Sequence, residues 1–276
     1  MTMLERRSLL GSAILLALGG SSRELSASAT ASQSFTVPPS RIFAHRGFGT
    51  NGAPNALSPE NTLAAFRRAA SLGVAGLETD IQATRDGVPV LMHDATVDRT
   101  TDGEGAVREL SAAQIASLNA AGRFGPGAPA EPVPSLASYF ALCRELGMVA
   151  LPELKAARRP EEVARILTLA EEAGMADRVV WSSRRLRTLE IVAEMRGGRS
   201  RLALIRNDLR DFGTFLQLPG EKMLLLRATA LLQGRVEAKE VTGAGVSLAA
   251  WTVNQSEVAR RLIDGGCDFI LADGPV

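Results

Sequence analysis

Eight short runs rich in β-branched and aliphatic residues recur along this chain, most of them separated by stretches whose apolar residues fall three and four apart. The runs are 42–45, 76–80, 149–153, 179–182, 202–205, 223–226, 247–252 and 269–272. Leu63-Phe66-Ala70, Val163-Ile166-Leu167-Ala170, Leu186-Leu189-Val192 and Val258-Leu262 carry the helical spacing, and helix starts are legible at Ser58-Pro59-Glu60, Arg159-Pro160-Glu161 and Asn254-Gln255. Such alternation demands a parallel sheet, and eight units predict its closure into a single (β/α)8 TIM barrel of the α/β class. The 276 residues, less a leader, come close to the roughly 250 that such a barrel needs.

Two places break the rhythm. Run 76–80 is followed by a second one at 88–93 across Thr84-Arg85-Asp86-Gly87, and Asp-Gly between β runs signals a hairpin. Folding symmetrically about that turn predicts Glu78 opposite His93. From Ala95 to Pro134 glycine and proline crowd in and no helical period dominates, which predicts a small insertion over the active-site face. The last run ends four residues before the end of the sequence, where a full barrel would add a helix. Residues 35–40 are expected to cover that edge.

Residues 1–31 read as an export signal and linker. Arg6-Arg7 precedes an apolar stretch ending near Leu18, and the small-residue tract that follows predicts cleavage near Ala29 or Ala31. The paired arginines resemble a twin-arginine signal, with Glu5 standing where Ser or Thr is usual. An apolar stretch this short falls below the ~20 residues of a bilayer-crossing helix, so the expectation is a periplasmic or secreted protein with no stable membrane anchor. Taking Arg6, Arg7 and Arg23 with Glu5 and Glu24 from 31 basic and 30 acidic side chains leaves equal numbers, so nothing favours a nucleic-acid partner. Cys143 and Cys267 lie on separate elements and are expected as two buried thiols. Oligomeric state is left open.

Both histidines, His45 and His93, fall in polar clusters at the end of a β run, where imidazoles with pKa values near ~6.5 can exchange protons at neutral pH. Glu78 and Asp80 are two apart on a strand and leave the same face; Glu153 and Lys155 repeat the pattern on the next barrel strand. Carboxylates there are tolerable only around a cation. An oxygen-only set of Glu78, Asp80 and Glu153 suits one hard dication, Mg2+ or Ca2+, rather than zinc. With that metal, Arg46 and Lys155 turn a repelling pocket into one that attracts a phosphodiester, Arg46 offering a fork and Lys155 a point charge. Trp251 near the end of the seventh barrel strand reads either as ordinary core or as an apolar wall for a small carbon chain such as glycerol.

His45-Arg46-Gly47, Pro59-Glu60-Asn61-Thr62, Glu78-Thr79-Asp80, Thr84-Arg85-Asp86-Gly87, His93-Asp94, Glu153-Leu154-Lys155, Trp251-Thr252-Val253-Asn254 and Ala272-Asp273-Gly274-Pro275 occur in that order. Over residues 41–276 the chain resembles the glycerophosphodiester phosphodiesterase family. The resemblance implies metal-dependent hydrolysis of diesters such as glycerophosphocholine to sn-glycerol 3-phosphate and an alcohol, by way of a cyclic phosphate. It also implies His45 and His93 as acid and base, Glu78, Asp80 and Glu153 as metal ligands, Arg46 and Lys155 on the phosphate and Trp251 on the glycerol. Asn61 and Thr62 are read as capping and hydrogen-bonding residues at the first helix, and Glu60 as support for the pocket rather than a ligand. The chain departs from the family pattern by the extra length of residues 48–58, expected to reshape access, and by its loose match over 206–245. Two other readings compete: a phospholipase-D-like enzyme acting on sphingomyelin or lysophospholipid, and a binding module on an inactive barrel.

Overall fold

The computed structural model describes residues 35–125, 127–157 and 159–276; the export-signal reading of residues 1–31 falls outside them. Eight parallel strands close a barrel: β1 (Ile42–Ala44), β2 (Gly76–Ala83), β4 (Val149–Leu154), β5 (Trp181–Ser183), β6 (Arg201–Arg206), β7 (Glu221–Arg227), β8 (Ser247–Trp251) and β9 (Phe269–Ala272). Their order runs β1-β9-β8-β7-β6-β5-β4-β2, and β2 pairs back with β1. The remaining strand, β3 (Pro89–Leu91), lies antiparallel on the overshooting end of β2. The TIM barrel and its hairpin are those predicted.

Alternation along the strands divides the core in two. Phe43, Leu151, Val180, Ile205, Leu225 and Leu271 point inward and fill the barrel. Ile42, Leu77, Trp181, Leu204, Leu226 and Ile270 point outward against the helices. The longer of these are α1 (Leu63–Ser71), α3 (Leu136–Leu146), α4 (Pro160–Glu172), α5 (Leu186–Arg196) and α6 (Ser256–Asp264). Residues 95–134 hold the short α2 (Ala112–Ala116) and a small core of their own, in which Val97, Val107 and Ile115 pack on Val90 and Met92 of the hairpin. At the open edge Val37 is buried in the outer core and the Thr36 amide donates to Val276 O at 2.9 Å, so the leading segment stands in for the eighth helix. Cys143 and Cys267 are separate, buried thiols, each pushed up to about 12 by burial. No helix among the described residues is long and apolar enough to cross a membrane.

Two local expectations are corrected. The hairpin register is Ile81↔Leu91 and Gln82↔Val90, and Met92 N donates to Asp80 O, so Glu78 does not face His93. The cause is one extra loop residue: Thr84 Oγ1 accepts from Val88 N at 2.9 Å and closes an odd-numbered turn. The first helix begins at Leu63 rather than beside Ser58, with Thr62 as its N-cap, because Asn61 adopts φ 57° and leaves the helical path.

Gly76 shows how tightly the barrel floor is filled. A Cβ at this position would lie 2.6 Å from the Phe43 ring and 2.9 Å from Val149 O, and Phe43 in turn packs edge-on against Phe269 at 5.3 Å. Gly76→Ala should destabilise the barrel by about 1–3 kcal/mol through overpacking. Urea unfolding checks this, and an unshifted midpoint would mean that the floor has slack.

Candidate active site

The inward positions at the carboxyl ends of β2 and β4 carry Glu78, Asp80 and Glu153, and the register Asp80↔Glu153 sets two of them level. All three are buried, and each offers a carboxylate oxygen within 4.8 Å of the others. Burial and the neighbouring Asp80 push the Glu78 carboxyl up to about 7. Burial works on Asp80 too, but Arg46 and Lys155 outweigh it and hold that carboxyl well below its usual range. Lys155 Nζ lies 3.1 Å from Asp80 and 3.3 Å from Glu153.

Cations and amides around this cluster explain the local backbone. Arg46 adopts φ 49° and is followed by Gly47 at φ 77°, where a Cβ would lie 2.9 Å from Ala65 and Phe66. That turn aims the Arg46 amide at Glu78 Oε2, 2.9 Å away. Its guanidinium NH1 donates to Glu60 at 3.0 Å and its Nε lies 3.3 Å from Asp80, while its NH2 makes no hydrogen bond with any described residue. Asn61 spends its own left-handed turn on Asp80, donating from Nδ2 at 3.1 Å, and accepts from Thr79 at 2.8 Å.

Each imidazole has a carboxylate on Nδ1. His45, in a short turn after β1, meets Asp273 at 2.6 Å; His93, on the returning hairpin, meets Asp94 at 2.6 Å. With Nδ1 so engaged, Nε2 is the ring atom left for chemistry, and that of His45 lies 3.9 Å from Glu78. Burial lowers the pKa of His45, but Glu78 and Asp273 reverse the effect and leave it raised. His93 is lowered, by burial and by Arg46 and Lys155 against the pull of Asp80.

Several members of the site were given no role by sequence. Asp273 closes a recognised motif and follows Phe269 and Leu271 on the inward face of β9, so alternation alone could have found it. It also accepts from Thr50 Oγ1 and Asn254 Nδ2. Arg99, from the insertion, grips Glu60 with two bonds of 2.7 Å and Asp94 with one of 2.6 Å. Residues 48–58 prove to be part of the site's frame: Thr50 serves Asp273, the Asn51 amide donates to Glu60 at 2.8 Å, and Gly274 lets Asn55 O approach where a Cβ would sit 2.0 Å away. Glu60 supports the pocket as expected. Trp251 lies at the mouth, held by Nε1 donating to Leu225 O at 3.0 Å.

The charge count also changes. Glu60, Glu78, Asp80, Asp94, Glu153 and Asp273 meet Arg46, Arg99, Lys155 and Arg184, an excess of two negative charges that one dication cancels. An all-oxygen donor set, one member of which otherwise holds a proton near pH 7, fits a hard divalent ion.

The sequence matches the glycerophosphoryl diester phosphodiesterase family over residues 45–276. The chain belongs to this family. It is 33% identical to the glycerophosphodiester phosphodiesterase of Caldanaerobacter subterraneus subsp. tengcongensis across 85% of this chain and 94% of that one. A stretch of 102 residues, 36% of this chain and 29% of the relative, is 51% identical to human glycerophosphodiester phosphodiesterase 1. The fold is that of an Oleispira antarctica phosphodiesterase solved with the product sn-glycerol-3-phosphate, with a TM-score of 0.72, 24% identity and coverage of 85% of this chain and 93% of that one. The enzyme class, a phosphoric diester hydrolase on a TIM barrel, follows from this membership.

Asp273 provides a test of the frame. Burial would raise its carboxyl, yet the bonds from His45, Thr50 and Asn254 hold it down to about 2. Its folded-state pKa is below the unfolded value of ~3.9, so its stabilisation is complete above about pH 4 and is lost as pH falls through about 2. Asp273→Asn should cost on the order of 2 kcal/mol at pH 7, with the gap from wild type closing between pH 4 and pH 2. A pH-independent gap in urea unfolding would show that the carboxylate charge contributes nothing. Turnover should fall by about 10²-fold or more, because the His45 ring loses its orienting anion.

Proposed function

We propose that this enzyme hydrolyses glycerophosphodiesters such as glycerophosphocholine to sn-glycerol 3-phosphate and an alcohol, with His45 and His93 as its acid and base. The observation that carries this reading is the pairing of each imidazole with its own carboxylate beside one cluster of three buried acids. The product found in the Oleispira structure supports the glycerol side of the substrate.

Glu78, Asp80 and Glu153 would hold one dication, Mg2+ or Ca2+, which when bound supplies charge neutralisation for phosphoryl oxygens. Arg46, through its uncommitted NH2, and Lys155 grip those oxygens. One imidazole takes the proton of the glycerol hydroxyl next to the ester as that oxygen bonds to phosphorus; the other gives a proton to the alcohol oxygen as its P–O bond breaks. Water then opens the cyclic phosphate with the two roles exchanged. Trp251, its plane fixed by the bond to Leu225 O, walls the glycerol. With residues 1–31 as an export signal, the reaction takes place outside the cytoplasm.

Release of glycerol 3-phosphate from glycerophosphocholine should be abolished by EDTA and restored by Mg2+ or Ca2+. Choline release from sphingomyelin or lysophospholipid, with no glycerol 3-phosphate from glycerophosphocholine, would overturn the reading in favour of the phospholipase-D-like alternative. Binding of glycerophosphocholine without turnover would favour the inactive barrel. His45→Ala and His93→Ala should each lower turnover by about 10²–10⁴-fold with the fold intact, and a wild-type rate in either removes that residue from the mechanism.

A further inference from the structure

Alternation brings inward side chains from each strand to the mouth of the barrel, and the two halves of the mouth differ. On β1, β2, β4 and β9 these positions hold the imidazole and carboxylate machinery. Val180 faces the barrel interior just before β5, as do Met223 and Leu225 on β7, so the same parity brings Arg184 and Arg227 to the mouth. Arg227 is in register with Trp251 on β8.

Arg184 reaches from the metal-ligand cluster to the indole. Its Nε lies 3.8 Å from Glu153 and its guanidinium carbon 4.6 Å from the centroid of the Trp251 ring, in cation–π contact. The side chain is 48% exposed. Arg227 is exposed and forms no ion pair with a described residue. The acids of this rim are already answered, Asp211 by Arg206 at 2.5 Å and Asp208 by Arg210 at 3.8 Å. Lys155 meets Glu153 more closely than Arg184 does. The β5–β8 side of the mouth therefore carries, in Arg227, a positive charge that no described acid answers, beside Arg184 and the indole.

In a glycerophosphodiester the glycerol is neutral and the reacting phosphate is constant, so charge at the mouth can discriminate only through the alcohol. We infer that Arg184 and Arg227, which flank the indole assigned to the glycerol, form a charged rim subsite that acts across the phosphate on the alcohol, favouring diesters whose alcohol bears a second phosphoryl group over those with a cationic alcohol such as choline. This rests on the glycerophosphodiesterase reading and narrows it. A guanidinium fork matches phosphoryl oxygens, and a positively charged rim raises the local concentration of anions while repelling a quaternary ammonium.

The test compares kcat/KM, per scissile bond, for bis(glycerophospho)glycerol, glycerophosphoglycerol and glycerophosphocholine, whose alcohols are anionic, neutral and cationic. The wild-type enzyme should rank them in that order, with about fivefold between the extremes at low ionic strength and less in high salt. Arg227→Glu should reverse the order, and Arg184→Gln should narrow the spread. Both are read as ratios between substrates, so a general loss of activity cancels. Equal values in the wild-type enzyme, or ratios unmoved by Arg227→Glu, would overturn the subsite while leaving the hydrolase reading in place. No glycerol 3-phosphate from any of the three would overturn both.

Discussion

Three buried carboxylates at the ends of two neighbouring strands are the constraint on which the rest of this site depends. Like charges this close in a low dielectric repel strongly, and burial adds to the cost. The protein answers with cations and donors aimed at each acid. Arg46 adopts a left-handed backbone, costly by about 1–2 kcal/mol for a residue with a side chain, and in return gives Glu78 an amide and Asp80 a guanidinium. Asn61 makes the same exchange for Asp80, and its turn is what delays the first helix to Leu63. Even so, Glu78 stays pushed up to about 7, the electrostatic demand that a dication meets.

The two imidazoles show one solution reached in two ways. His45 finds its carboxylate 228 residues away on the last barrel strand, whereas His93 finds its own in the next residue. Asp273 is nearly buried and held by Thr50 and Asn254, so His45 is anchored to the barrel itself. Asp94 is more exposed and depends on Arg99, which also clamps Glu60 and so ties the hairpin and the insertion to the barrel. Besides that clamp, the hairpin's own ladder and the Gln82 side chain, which donates to His93 O at 3.2 Å, fix His93 relative to the acids of β2.

What was legible in the sequence was whatever strand periodicity encodes. Glu78, Asp80 and Glu153 converge because residues two apart share a face and neighbouring parallel strands run in step. His45, Lys155 and Trp251 belong to the same alternation and were readable for the same reason. The hairpin register was not, because it turns on a Thr84 hydroxyl that adds one residue to the loop. Thr50 and Arg99 were invisible for a different reason: each comes from an irregular segment, and their partners lie 223 and 39 residues away with no local pattern to announce them. Asp273 lay between these cases, since alternation placed it at the mouth but only the folded chain shows it beneath His45.

Charge alternates in sign along one path across the mouth: Asp94, Arg99, Glu60, Arg46, Asp80, Lys155, Glu153 and Arg184. Each interior member answers a neighbour on either side, so deleting any interior cation sets two acids against each other without an intervening charge, and the effects cannot be additive. The path begins at the partner of one imidazole, runs through two of the three clustered acids and ends on the face of Trp251. Under the proposed function, proton transfer, metal retention and the reading of the alcohol would thus be performed by one electrostatic structure. Its outermost arginine is the member whose second neighbour is an indole rather than an acid, so it shares its charge with one carboxylate instead of two.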